Sequence, residues 1–168
     1  MDSPRFIVDI NVGKLARWLR MLGFDATLFG HGEDFRLIKQ ALAEGRVLVT
    51  KDSRLVQRRV ITTGRLRSVL VNGDRPEEQM RQVITRLGLE GPFRPFTRCL
   101  EDNHLLLERR PDEVADLVPA YVRQTQTRFR QCPACKRVYW PGTHWQAMLE
   151  KLREFTSPPP PEQTPDHA

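Results

Sequence analysis

Three aspartates fall where apolar segments end and helical patterns begin. Asp9 lies near the end of FIVDI (residues 6–10), Asp52 follows VLVT (47–50) and Lys51, and Asp34 heads a helix that comes after a second strand and its loop. In a parallel α/β sheet such positions converge beyond the carboxyl ends of the strands, where ligands bind. Carboxylates gathered on one rim repel one another and persist there only with a cation among them. A hard divalent ion, Mg²⁺ or Mn²⁺, takes oxygen ligands, keeps several waters and is commonly held by carboxylates together with substrate phosphate. Such an ion acidifies bound water and clamps the oxygens of an in-line attack, so the chemistry to expect is metal-dependent phosphodiester hydrolysis.

Each acid also has a plainer role open to it. Asp34 is an N-cap candidate, and Asp52 could cap a helix in SRLVQRR. Asp9, at an otherwise apolar strand end, needs a partner, for which Lys14 and Arg17 are candidates. Asp74, in NGDRP, is a turn residue by type but follows the fourth strand and could reach the same rim. A second set of reactive residues is Cys99, Cys132 and Cys135. The number is odd, and the start MDSPRFIVDI lacks the pattern of a secretory signal, so metal binding is a better reading than a disulfide framework. The compartment expected on this basis is the cytosol.

The elements that must position these groups read as alternating strands and helices. FIVDI is a first strand. KLARWLRMLG follows as a helix whose Leu15, Trp18, Leu19 and Leu22 share one face, with Gly23 as its stop signal. DATLF (25–29) is a second strand, and a second helix aligns Leu37, Ile38, Ala41 and Leu42 before Gly45. VLVT is the third strand, SRLVQRR a short helix and LRSVLV (66–71) a fourth strand. RPEEQMRQVITRLGL is a further helix, with Pro76 near its start and Gly88 near its end. Repeated βαβ units imply an α/β fold with a mostly parallel sheet covered on both faces. Residues 1–92 form this first part. GPFRPF is a proline-bearing linker, a smaller module of little periodicity spans 96–155, and the proline-rich end, 156–168, is expected to be a disordered tail.

The chain has 168 residues, 39% of them apolar, enough for a sizeable core. No apolar run of about 18 residues is present to cross a membrane. Lysine and arginine number 27 against 21 acids, and residues 1–95 hold 17 of the basic and 11 of the acidic side chains. Arginine dominates, which suits planar recognition of phosphates by a basic surface. No phosphate-cradling G-x-x-x-x-G-K-[ST] loop occurs, which argues against a nucleotide-handling α/β protein.

The stretches VDINVGKLARWLRMLGFDA, EDFRLIKQALAEGRVLVTKDSRLVQRR and EQMRQVITRLGL, followed in order by RCLEDN and CPACKRVYWPGTHWQAM, resemble the Mut7-C RNase domain family, a branch of the PIN-like nucleases. The resemblance spans about residues 5–150. It implies a PIN-like α/β fold whose acidic cluster binds Mg²⁺ or Mn²⁺ to cut RNA, with the family's acids falling on Asp9, Asp34 and Asp52. Asn11 falls beside the first acid, and Lys51, Arg54, Arg58 and Arg59 are candidates for holding phosphate, although a solvated helix face is open to most of them.

The resemblance also implies a zinc ribbon built from two C-x2-C pairs. Here the second pair, Cys132 and Cys135, is intact, whereas the first reads Cys99-Leu-Glu-Asp102, with the 32 residues between Cys99 and Cys132 carrying an inserted loop at DEVADLVP. Asp102 would complete a Cys3Asp zinc site, with His104 as the competing fourth ligand. The alternative is a module without its ion, held by Tyr139, Trp140 and Trp145. Those aromatics, with Arg128, Arg130, Lys136 and Arg137, could instead form a platform for single-stranded RNA. His144 stays outside the catalytic set. The expected function is a metal-dependent ribonuclease with RNA as its partner and no membrane association. The rival is a PIN-like module that binds RNA or ribonucleoprotein without turnover, and no signal for an oligomeric state is present.

Overall fold

The computed structural model describes residues 3–157, so the expected disordered tail lies almost wholly outside the described residues. Strands β1 (Phe6–Asp9), β2 (Ala26–Phe29), β3 (Val47–Thr50) and β4 (Ser68–Leu70) form one parallel sheet in the order β2-β1-β3-β4. The two central strands are the most deeply buried. Phe6, Ile7, Val8, Leu48 and Val49 are all buried, as expected of strands covered on both faces.

Alternation along β1 sends its side chains into two different cores. Phe6 and Val8 join Val47, Val49 and Val69 beneath α1 (Lys14–Met21) and α4 (Pro76–Leu87), which contribute Leu15, Leu19, Met80 and Val83. Ile7 and Leu48 face the other way, toward Leu37 and Ala41 of α2 (Asp34–Glu44) and toward Leu55 and Leu66. The helix expected in SRLVQRR is instead a 3-10 turn, Leu55–Gln57, followed by the short α3 (Arg59–Thr62). Gly23 does more than end α1. Its φ is 96°, and a Cβ there would lie 2.4 Å from the carbonyl oxygen of Arg94, because the linker passes directly beneath and Arg94 N–H donates to Leu22 O at 2.9 Å.

Beyond the linker, β5 (Leu107–Arg109), β6 (Phe129–Gln131) and β7 (Val138–Tyr139) form an antiparallel sheet in that order. DEVADLVP is not an open loop. It lies largely in a 3-10 helix, Pro111–Leu117, whose Val114 packs with Val118, with Val122 of α5 (Ala120–Thr125) and with Phe129. The chain then forms α6 (Thr143–Thr156), a 14-residue helix where little periodicity was expected. Its Trp145, Leu152 and Phe155 enter the same core as α1 and α4, together with Phe96 and Leu100. Trp18 meets Phe155 edge-on at 5.2 Å.

Candidate functional site

The carboxyl edge of the sheet is organised by a residue the sequence reading passed over. Thr50 ends β3, fully buried, and its hydroxyl donates to Asp9 Oδ2 at 2.7 Å while accepting the Asp52 N–H at 3.0 Å. One hydroxyl thus ties the ends of two neighbouring parallel strands. Asp9 therefore finds its partner in Thr50 rather than in Lys14 or Arg17, and Arg17 pairs with Glu101 instead. Asp52 Oδ1 accepts the N–H groups of Arg54 and Leu55 at 2.8 and 3.2 Å, so its side chain also braces the following turn. Asn11 Oδ1 accepts the Lys51 N–H at 3.4 Å. Lys51 Nζ lies 2.9 Å from Asp74 Oδ1, and that hydrogen bond holds the Asp74 carboxyl below its ordinary range.

A cavity of about 350 Å³ opens next to this rim, lined by Asn11, Lys14, Lys51, Asp74 and Gln79 among others but by none of Asp9, Asp34 and Asp52. Asp34, the first residue of α2, is exposed and lies 3.7 Å from the Arg58 guanidinium. Arg54 is exposed beside Asp52. Among the described residues, the group of metal-ligating side chains whose ligand atoms lie within 4.8 Å of one another is not this one. It is Cys99, Asp102, Cys132 and Cys135.

That second cluster is made by two copies of one turn. Cys99 N–H donates to His104 O at 2.8 Å and Asn103 N–H to Cys99 O at 3.1 Å; Cys132 N–H donates to Arg137 O at 3.0 Å and Lys136 N–H to Cys132 O at 3.1 Å. The fifth residue of each turn is left-handed, with φ 71° at Asn103 and 63° at Lys136. Asp102 therefore occupies the position in the first turn that Cys135 holds in the second. Cys99 Sγ and Cys135 Sγ are 3.7 Å apart, and both Asp102 oxygens lie 3.2 Å from Cys132 Sγ. His104 turns its ring outward to Asp102, Nδ1 to Oδ1 3.2 Å, and is not within the cluster.

Burial works against charge on Asp102, but hydrogen bonds from Cys99, Cys132 and His104 outweigh it and hold the carboxyl well below the usual range. Burial pushes the Cys132 thiol up to about 12, and Cys135 moves in the same direction for the same first reason. A cation held between the cluster's sulfurs and carboxylate would favour thiolates. Tyr139 is drawn into the same cluster: its hydroxyl lies 3.2 Å from Cys99 Sγ and accepts the Leu100 N–H at 3.1 Å.

The first turn is fastened to the parallel sheet by groups that the sequence reading did not single out. Arg20 of α1 is 7% exposed and donates to Ala26 O at 2.8 Å, Leu100 O at 2.9 Å and Glu101 O at 3.0 Å. Asn103 accepts the Ala26 N–H at 3.0 Å and donates to Asp25 Oδ1 at 2.7 Å. Asp25 is in turn paired with Arg46 at 2.6 Å. These contacts lie at the amino-terminal end of β2, so the metal-ligating cluster and the acid rim belong to opposite ends of the sheet.

Fold and sites together define a class: an α/β domain with acids at the carboxyl edge of a parallel sheet and a cysteine-rich pair of turns docked at the other end. Its family is established by comparison. The Mut7-C RNAse domain family matches residues 4–152, and the chain belongs to it. No curated protein and no solved structure matches the chain. Membership suggests a nuclease-like role with RNA as substrate or partner, the cysteine-aspartate cluster can hold a metal ion, and no described helix is long and apolar enough to cross a membrane.

Proposed function

We propose that the chain is a metal-dependent ribonuclease that hydrolyses RNA phosphodiester bonds, with Asp9, Asp34 and Asp52 as the acids that hold Mg²⁺ or Mn²⁺. One observation carries the reading: the Thr50 hydroxyl ties the Asp9 carboxylate to the Asp52 backbone N–H, so both acids stand at the carboxyl edge of adjacent parallel strands, next to a cavity rimmed by Asn11, Lys14 and Lys51. Carboxylate, hydroxyl and amide oxygens are a donor set suited to a hard divalent ion. Such an ion supplies an acidified water and neutralises charge on the phosphate. The protein's own groups do the positioning. Thr50 orients Asp9 through Oδ2, the turn at Arg54 and Leu55 fixes Asp52 through Oδ1, and each carboxylate keeps its other oxygen for the site. Asp34 joins by turning away from Arg58, both side chains being exposed. Lys51, Asn11, Arg54 and Arg58 serve to hold the substrate's phosphates and sugars.

The second metal is Zn²⁺, held by Cys99, Asp102, Cys132 and Cys135. Tetrahedral Zn–S bonds of about 2.3 Å put two sulfurs about 3.8 Å apart, close to the 3.7 Å between Cys99 and Cys135. The chemistry is then divided between a nuclease part, residues 1–92, and a zinc-ribbon-like part, residues 96–155, in a protein whose thiols suit the reducing cytosol.

The test is cleavage of labelled RNA with Mn²⁺, with Mg²⁺ and after chelation. Asp9→Asn is expected to lower cleavage at least about a hundredfold while RNA affinity survives. One observation favours a second reading, an RNA-binding module without turnover: Asp52 is engaged in its turn and Asp34 in an ion pair with Arg58. Tight RNA binding with no cleavage under any divalent ion would select that reading.

A further inference from the structure

A groove of about 290 Å³ lies between the metal-ligating turns and the start of α6, lined by Arg17, Tyr121, Arg137, Trp140 and His144 among others. The structure divides the aromatics around it into two kinds. Trp145 is 7% exposed and meets Phe96 at 4.9 Å, and the Tyr139 hydroxyl is committed to Cys99 and Leu100, so both belong to the scaffold. Arg130 lies over Phe96 and bonds its carbonyl, which removes it from the groove as well. Tyr121 is different: it is 67% exposed, although its helix is anchored by Val122 beneath. Trp140 is half-buried, packed in part on the Val114, Val122 and Phe129 cluster that fixes its ring, and Gly142 lies so close to it that a Cβ would sit 2.9 Å from the indole Nε1.

The charges on the groove are cationic in excess. Arg17 and Arg137 share a single carboxylate, Glu101 Oε1, so two guanidiniums stand at the edge with one counter-charge between them. Flat aromatic faces beside guanidiniums are the combination that takes up an unstacked base and its phosphate. A duplex keeps its base faces stacked and offers nothing to the rings.

The groove is also connected to the acid rim. On α1, Lys14 and Arg17 are both exposed and stand three residues apart, neighbours on one helix face. Lys14 lines the cavity beside Asn11 and Lys51, while Arg17 lines the aromatic groove. A row of two cations therefore joins one cavity to the other.

We propose that this groove binds a base of single-stranded RNA, which stacks on Tyr121 and Trp140 with its phosphate on Arg17 and Arg137, and that the strand runs along Lys14 toward the acid rim. The second clause rests on the ribonuclease reading; the first does not.

The experiment uses the full chain loaded with zinc and carrying Asp9→Asn, titrated with a short labelled single-stranded RNA by fluorescence anisotropy at two salt concentrations. Adding Tyr121→Ala is expected to weaken binding about tenfold. Adding Arg137→Gln is expected to weaken it and to reduce the salt slope by about 0.7; if that variant loses zinc, Arg17→Gln takes its place. Unchanged affinity in Tyr121→Ala and the arginine variant overturns the proposal, as does duplex RNA binding equally well. An acidic peptide that competes fully while RNA affinity stays insensitive to Tyr121 would assign the groove to a protein partner and also overturns it. Cleavage by the protein with its native Asp9 separates the two readings. No cleavage with a Tyr121-dependent affinity removes the hydrolytic reading and keeps the groove; cleavage with affinity insensitive to Tyr121 does the reverse.

Discussion

Replacing Arg20 with methionine tests whether the cysteine-rich turns are held by the sheet or merely lie beside it. Methionine keeps much of the length and apolar volume of the buried stem but removes the donors to Ala26 O, Leu100 O and Glu101 O. A hydrogen bond from a charged donor contributes about 1.5 kcal/mol or more, so three lost bonds amount to about 4.5 kcal/mol. Removing a buried guanidinium also removes its desolvation cost, which offsets part of this and leaves a net loss of about 3 kcal/mol. That desolvation is visible in the folded protein: burial lowers the Arg20 pKa, against the opposing pull of Cys99, Asp102 and Glu101. For a chain of this size about 3 kcal/mol corresponds to a fall in Tm of about 6–12 °C. Scanning calorimetry of the zinc-saturated protein measures it, and metal content after a chelator challenge should fall in parallel because the Cys99 turn has lost its anchor. A Tm within about 2 °C of the parent, with equal metal retention, would refute the reasoning.

Three further outcomes follow from other contacts. Asp102→Ala should weaken zinc binding at least about tenfold in a chelator competition, while His104→Ala should change it little; the opposite ranking would make His104 the ligand. On Asp25, burial opposes the charge but hydrogen bonds from Arg46 and Asn103 outweigh it, so its folded pKa lies below its ordinary value. The stability this adds is fully present above the unfolded pKa of about 3.9 and is lost as the pH falls through the lower folded value. Asp25→Asn should therefore flatten the loss of stability between about pH 5 and pH 2, and denaturant midpoints that fall equally in both proteins would count against it. Gly23→Ala places a Cβ against Arg94 O at a φ of 96° and should cost about 2–4 kcal/mol in urea unfolding; a change below about 0.5 kcal/mol would show that the linker yields freely.

The parallel sheet and its order of elements were readable because each strand and helix carries its own period. Asp52 was readable as a cap for the segment after it because its partners are two and three residues away, although what it braces is a turn and not the start of the expected helix. What escaped depends on contacts distant in sequence. Asp9 meets Thr50 across 41 positions, and Arg20 meets Leu100 across 80, so nothing local marks either partner. Arg20 reads as a surface residue of α1 until the Cys99 turn is laid over it. The helix α6 did carry a signal, since Trp145, Met148, Leu149 and Leu152 fall at i, i+3, i+4 and i+7. The rings of YWPGTHW suit base stacking by type, and the helical period starts only at the last of them. The repeated turn at Asp102 was legible only as a departure from a C-x2-C pair; its equivalence to Cys135 lies in backbone bonds and in the left-handed Asn103.

The way Ala26 is used bears on what can pair with the margin of the sheet. β2 is an outer strand of its sheet, and Phe6 N–H bonds Asp25 O on its inner side, which leaves the backbone groups of Ala26 facing outward. Both are taken, the N–H by Asn103 and the carbonyl by Arg20. An outer strand with free groups is a template for another chain to add to. The cysteine-rich turn thus acts as a guard on the sheet's margin, and a protein loosened at Asn103 would be exposed to self-association through β2.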